Sequence, residues 1–173
     1  MQALWTQFWQ DLHQPEYVHT LLLPVPIYGL ALGLLALAVG WAVRSRAAQG
    51  VALGLLALCA ASGWGVVHYG HLGYDRVYAM SDANAQKWLN WHQHLGDRFI
   101  WALTATALLA LAALLGQWKA PRLHRYALPL TALAAAVTLG LVGFLAFVGG
   151  KVRHGEFRDG PPPAWADTSA DDD

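Results

Sequence analysis

The chain has 173 residues, of which 56% are hydrophobic and 13% charged, with a formal net charge of +0. That balance excludes an ordinary soluble globular domain, and the length suits one domain. No nucleic-acid partner is expected. Four apolar runs are long enough to cross a bilayer, which takes about 20 residues per helix.

The first segment precedes these runs. Leu4, Trp5, Phe8, Trp9 and Leu12 recur at helical spacing, which predicts a short amphipathic helix lying at headgroup level. It lacks the basic start and small-residue cleavage site of a signal peptide. The spans follow near Leu21–Val43, Gln49–Gly70, Phe99–Trp118 and Tyr126–Lys151. They are continuous rather than alternating, so they read as helices. The expected fold is all-α: an integral membrane four-helix bundle with a short N-terminal interfacial helix. Residues 1–18 would form that helix, 19–158 the bundle, and 159–173 a flexible acidic tail containing PPP and a final DDD.

Charge sets the expected orientation. Arg44 and Arg46 lie between the first two spans, and Lys119, Arg122 and Arg125 between the last two. Every acid lies in the N-terminal segment, the 71–98 region or the tail. By the positive-inside rule the two basic loops face the cytoplasm and both termini face outward, which in a bacterial inner membrane means the periplasm. The 71–98 connection is expected to form a lid over the histidine layer or, as the alternative, a docking surface, with Ser81 capping a helix that continues into the third span.

This topology sorts the histidines. His19 starts the first span, His68 and His71 end the second, His92 and His94 start the third, and His154 follows the fourth. His124 alone is expected on the inner side. Residues two apart on a helix face nearly opposite ways, so His92 and His94 cannot both point inward. We assign His92 inward and His94 to the rim. Gly96 lies one turn from His92. Ala61, Gly65 and His68 share one stripe; Gly140, Gly143, Phe147, Gly150 and His154 share another. Small residues beneath a histidine suit either close helix packing or a flat cofactor.

Several imidazoles at one depth suit b-type haem, held by two axial histidines from facing helices. His19, His68, His92 and His154 are the candidate ligands, with Gly96 and Gly150 leaving room. Arg98, Arg153 and Lys151 are candidate partners for the propionates. A zinc or copper site built from His19, His68, His71, His92, His94 and His154 is the alternative, with Asp75 or Asp97 in support. A third reading has no cofactor, the rings being amphipathic residues of the headgroup layer. Asp97-Arg98 reads as a local ion pair. No phosphate loop, serine nucleophile elbow or HExxH helix occurs. Cys59 stands alone, which excludes a disulfide and a CxxCH haem attachment.

Three motifs carry a family resemblance. They are H-x-x-L-G at His92 to Gly96, G-G-x-x-x-H-G at Gly149 to Gly155, and "VHTLLLPVPI" at the first span. Together they resemble an uncharacterised four-helix bacterial membrane family, a domain of unknown function found fused to or beside c-type cytochrome domains. The resemblance covers roughly residues 13–158 and carries over to His19, His92 and His154. It implies nearness to electron transfer and favours haem over another metal. One histidine layer near the outer face cannot carry electrons across a core about 30 Å thick. The expected role is thus an electron-transfer protein or subunit of a respiratory or photosynthetic complex, more accessory than catalytic. Its expected partners are the lipid bilayer, quinol, a periplasmic c-type cytochrome or other subunits.

Overall fold

A computed structural model describes residues 2–166, and among these there is no β-strand. Seven α-helices follow in order: α1 (Gln2–Asp11), α2 (Pro15–Leu22), α3 (Pro24–Ala42), α4 (Arg46–Ala61), α5 (Gly63–Ala79), α6 (Ala83–Lys119) and α7 (Pro121–Arg153). Two single-turn 3-10 helices, Gly155–Phe157 and Ala164–Ala166, complete the described chain. The expected all-α bundle is the fold observed.

Four stretches are long and apolar enough to cross a membrane: Pro15–Ala42, Arg46–Ala79, Ala83–Lys119 and Pro121–Arg153. The chain is thus built as a multi-pass membrane protein. Side chains at mid-span such as Leu32, Leu35, Leu108, Leu111, Leu133 and Val137 are exposed, as a lipid-facing surface requires. Each stretch outruns the expected apolar span. The 37 residues of α6 extend about 55 Å, well beyond a hydrocarbon core of about 30 Å. The 71–98 region is therefore no loop or lid. It is the C-terminal part of α5 and the N-terminal part of α6, joined through 80–82. Asp82, not Ser81, caps α6: its Oδ1 accepts from the backbone N–H groups of Asn84 and Ala85 at 3.0 and 2.8 Å. Ser81 Oγ instead donates to the Val77 carbonyl at 2.7 Å.

The spans form two antiparallel pairs. In the first, α3 packs on α4 and α2 on α5; in the second, α6 packs along α7. The pairs meet through α4 against α6 and α3 against α7. Leu30, Leu37, Leu53, Leu56, Leu103 and Ala110 form the centre of the core. A separate cluster joins Trp88, Leu89, Trp91, Val148, Val152 and Ala166.

The start of the expected tail reaches that cluster. Arg158 clasps Asp82 with two hydrogen bonds of 2.8 Å. Gly160, at a positive φ of 135° that favours glycine, offers its carbonyl to Trp88 Nε1 at 3.0 Å. Trp165 stands edge-on to Trp91 with ring centres 5.3 Å apart. Within 159–166, Gly160 and Trp165 contact tryptophans of α6 and Ala166 is buried in the cluster. The acidic end of the expected tail, 167–173, lies outside the described residues.

Candidate functional site

α2 opens with Pro15 at its first position, where a missing N–H costs nothing. His19 follows one turn later and turns toward α5. Its Nδ1 lies 2.8 Å from the carbonyl oxygen of Val66. On the other side of the bundle, the Asp82 cap fixes the start of α6, and His92 turns toward α7. Its Nδ1 lies 3.2 Å from the carbonyl oxygen of Leu145. A carbonyl only accepts, so each Nδ1 carries the hydrogen and donates it. In a neutral ring that leaves Nε2 as the lone-pair nitrogen. The two half-buried rings have centres 6.3 Å apart and planes at 85°.

Each imidazole rests over a glycine. A Cβ at Gly70 would lie 3.0 Å from His19 Nδ1, and one at Gly149 would lie 2.9 Å from His92 Cε1. The sequence stripes named Gly96 and Gly150 instead. A Cβ at either would meet nothing within 4 Å. Gly96 thus marks open space one turn along α6 from His92, while Gly150 turns away from it beside Gly149.

The remaining histidines do not join the pair. His68 was expected inward with His19 and His92, yet it is exposed, with Tyr69 as its ring neighbour at 5.4 Å. The cause is the rotation of α5: Val66, Gly70 and Gly73 face α2, and a residue two on from Val66 points the other way. His154 lies beyond the last turn of α7 in extended backbone. It is exposed and pairs with Glu156 at 3.0 Å, so the expected fourth inward ligand is absent from the cluster. His71 is exposed and pairs through Nε2 with Asp97 Oδ1 at 2.8 Å. Asp97 therefore reaches across to α5 rather than to Arg98. His94 is half-buried on α6, and Arg98 and Arg153 are exposed. Among the described residues, no three His, Cys, Asp or Glu side chains are grouped so as to hold a metal ion. The expected histidine layer thus reduces to one inward pair.

At the opposite end His124 has a structural task. Its Nδ1 donates to the Ala113 carbonyl at 2.8 Å, and its Nε2 lies 3.4 Å from Gln49 Oε1. Gln49 Nε2 in turn donates to Gly40 O at 3.2 Å.

The end of the bundle that holds the pair carries two acid–arginine contacts. Glu16 of α2 pairs with Arg76 of α5 at 2.8 Å, and Asp82 pairs with Arg158. Hydrogen bonding from Arg158, then from the backbone N–H of Ala85, pulls the Asp82 carboxyl down to about 2. The same contact raises Arg158. Glu156 is lowered first by its own backbone N–H and next by His154. Lys151 is engaged as well: its Nζ donates to the Phe157 carbonyl and lies 5.1 Å from the centre of the Phe147 ring.

No family model, curated protein or solved structure matches the chain. The family resemblance therefore rests on its three motifs.

Proposed function

We propose that the protein is a b-type haem electron-transfer protein or subunit of the bacterial inner membrane, with His19 and His92 as the axial pair. One observation carries this reading: two imidazoles from facing helix pairs meet inside the bundle, each with Nδ1 spent on a backbone carbonyl. Two imidazoles sharing one metal through Nε2 bonds of about 2.0–2.1 Å would have centres about 6 Å apart. The observed 6.3 Å fits that separation. Hydrogen bonding of the outer ring nitrogen to a carbonyl is the usual partner of a ligating imidazole. The open space at Gly96 supports a flat group beside the pair. When bound, haem supplies a one-electron couple. The chain's own part is to hold both rings in one tautomer through the Val66 and Leu145 carbonyls.

Arg98 and Arg153, both exposed, are the cations free to meet propionates, whereas Lys151 is committed to Phe157. The basic residues at the α3–α4 and α6–α7 junctions, Arg44, Arg46, Lys119, Arg122 and Arg125, favour an inner-face position, with the histidine pair and both termini toward the periplasm. A single centre there would exchange electrons with quinol, a periplasmic c-type cytochrome or a neighbouring subunit.

The visible spectrum of the detergent-solubilised protein tests this. The expected result is a Soret band that shifts on reduction and is lost in His19→Ala and in His92→Ala. Bound zinc or copper without a Soret band would replace haem with another metal. Neither would leave a cofactor-free subunit in which the two rings are packing groups.

A further inference from the structure

We infer that Gly70 and Gly149 are positioning residues, each clearing the space through which an imidazole reaches a helix carbonyl. The geometry stands by itself; the redox consequence rests on the haem reading. Gly70 follows Val66 by one turn on α5, and Gly149 follows Leu145 by one turn on α7. In each case the carbonyl used by the histidine is the one that the glycine's own N–H bonds within the helix. Such a carbonyl keeps a second lone pair. The side chain of the residue one turn later leans back over it, because Cα–Cβ bonds tilt toward the helix N-terminus.

Both sites show that clash directly. A methyl at Gly149 would lie 2.9 Å from His92 Cε1 and 3.2 Å from Nδ1; one at Gly70 would lie 3.0 Å from His19 Nδ1 and 3.2 Å from Cε1. In both, the obstructed edge of the ring is the one that donates to the carbonyl. The same arrangement occurs on two different helix pairs for the two rings that meet; His124, which reaches the Ala113 carbonyl at the other end, has Gln117 rather than glycine one turn on. With the contact intact, Nδ1 holds the hydrogen and Nε2 is kept for a metal. The hydrogen bond also makes the ligand more basic, which favours the ferric state. Displacing the ring releases the tautomer and lowers that basicity.

Adjacent glycines make the test clean. Alanine favours the helix equally at 149 and 150, but only at 149 does its methyl meet the ring. Gly149→Ala is expected to lower haem affinity about tenfold to hundredfold and to raise the midpoint potential. Gly70→Ala acts in the same direction through His19. Gly150→Ala keeps wild-type affinity and potential. Wild-type behaviour of Gly149→Ala, or an equal shift in Gly150→Ala, overturns the inference. A second readout needs no haem: 15N NMR of the histidine-labelled protein in detergent, prepared without haem. There His92 is expected as a single Nδ1–H tautomer in the wild type and as a mixture in Gly149→Ala. An unchanged tautomer overturns the positioning role. Absence of any Soret band in the wild type sinks the haem reading alone.

Discussion

The two helix pairs deliver their histidines by one contact and hold themselves together by different ones. In the first pair, α3 and α4 approach closely because α3 presents glycines. A Cβ at Gly29 would lie 2.3 Å from Cys59 Sγ, one at Gly33 2.7 Å from Leu56 Cδ2, and one at Gly40 2.9 Å from the Gln49 backbone nitrogen. In the second pair, α6 and α7 bury alanines such as Ala107, Ala110 and Ala135. They also share a hydrogen bond of 2.9 Å between the Thr106 and Thr138 hydroxyls. Both solutions are expected where lipid gives helices no hydrophobic reason to associate, and close packing and polar contacts must do so. Yet both pairs set an imidazole on a carbonyl with a glycine one turn on. The contact at the histidine is therefore a local device, independent of how the surrounding helices are joined.

The largest effect should come from the shared element. Removing either member of the pair, as His19→Ala or His92→Ala, is expected to abolish haem binding, read as complete loss of the Soret band. His68→Ala and His154→Ala should leave it in place. A spectrum that needs His68 as much as His92 would break the equivalence of the two pairs.

The packing difference predicts the next effect. Gly33→Ala forces a methyl against Leu56, which is fully buried, and overpacking of this kind costs about 1–3 kcal/mol. Gly54→Ala lies in the same helix pair but would meet nothing within 4 Å, so it should be neutral or slightly stabilising. Unfolding in mixed detergent with sodium dodecyl sulfate separates the two. Equal stabilities would mean that glycine contacts do not hold α3 on α4.

These contrasts also explain what could be read from the residues in advance. The spans were legible because their apolar runs are unbroken. Their outer ends were not, because α5 and α6 continue through residues too polar for a span but good enough for a helix. His92 was separable from His94 by parity on one helix. His68 was misplaced because α5 is apolar or glycine on several faces, so the sequence carries little signal for its rotation. The seating of Gly70 and Gly73 against α2, and of Gly63 against Leu103 of α6, shows that rotation. Gly149 and Gly150 are likewise equivalent in sequence, and about 100° of helical turn separates the one under His92 from the one facing away. Val66 and Leu145 act through backbone oxygens, which no residue type advertises.

At the histidine end of the bundle the pairs differ in what their arginine closes. Arg76 joins two helices of one pair, whereas Arg158 ties the chain after α7 to the start of α6. The Asp82 carboxyl lies at about 2 in the fold against an ordinary 3.8. Its contribution is therefore complete above about pH 4 and is lost as pH falls through about 2. The strap should stay closed across the neutral range, and tryptophan fluorescence should report its release only in strong acid. At neutral pH, Asp82→Asn removes the charge and exposes Arg158, so trypsin should cleave after Arg158 several-fold faster. Unchanged cleavage would assign the strap's closure to Trp88 and Ala166 instead.

The smallest effect belongs to the contact that the second pair alone uses. Thr106→Val removes the hydroxyl partner of Thr138, but Thr138 Oγ1 still reaches the Ala102 carbonyl at 3.3 Å. No buried polar group is then left wholly unpaired, and the shape of the side chain is kept. The expected cost is about 0.6 kcal/mol, the usual worth of a hydrogen bond between membrane helices, read in the same detergent unfolding assay as Gly33→Ala. A cost as large as that of Gly33→Ala would make the threonine pair, rather than alanine packing, the principal hold between α6 and α7. The two helix pairs would then differ in the kind of force that joins them as well as in the residues that supply it.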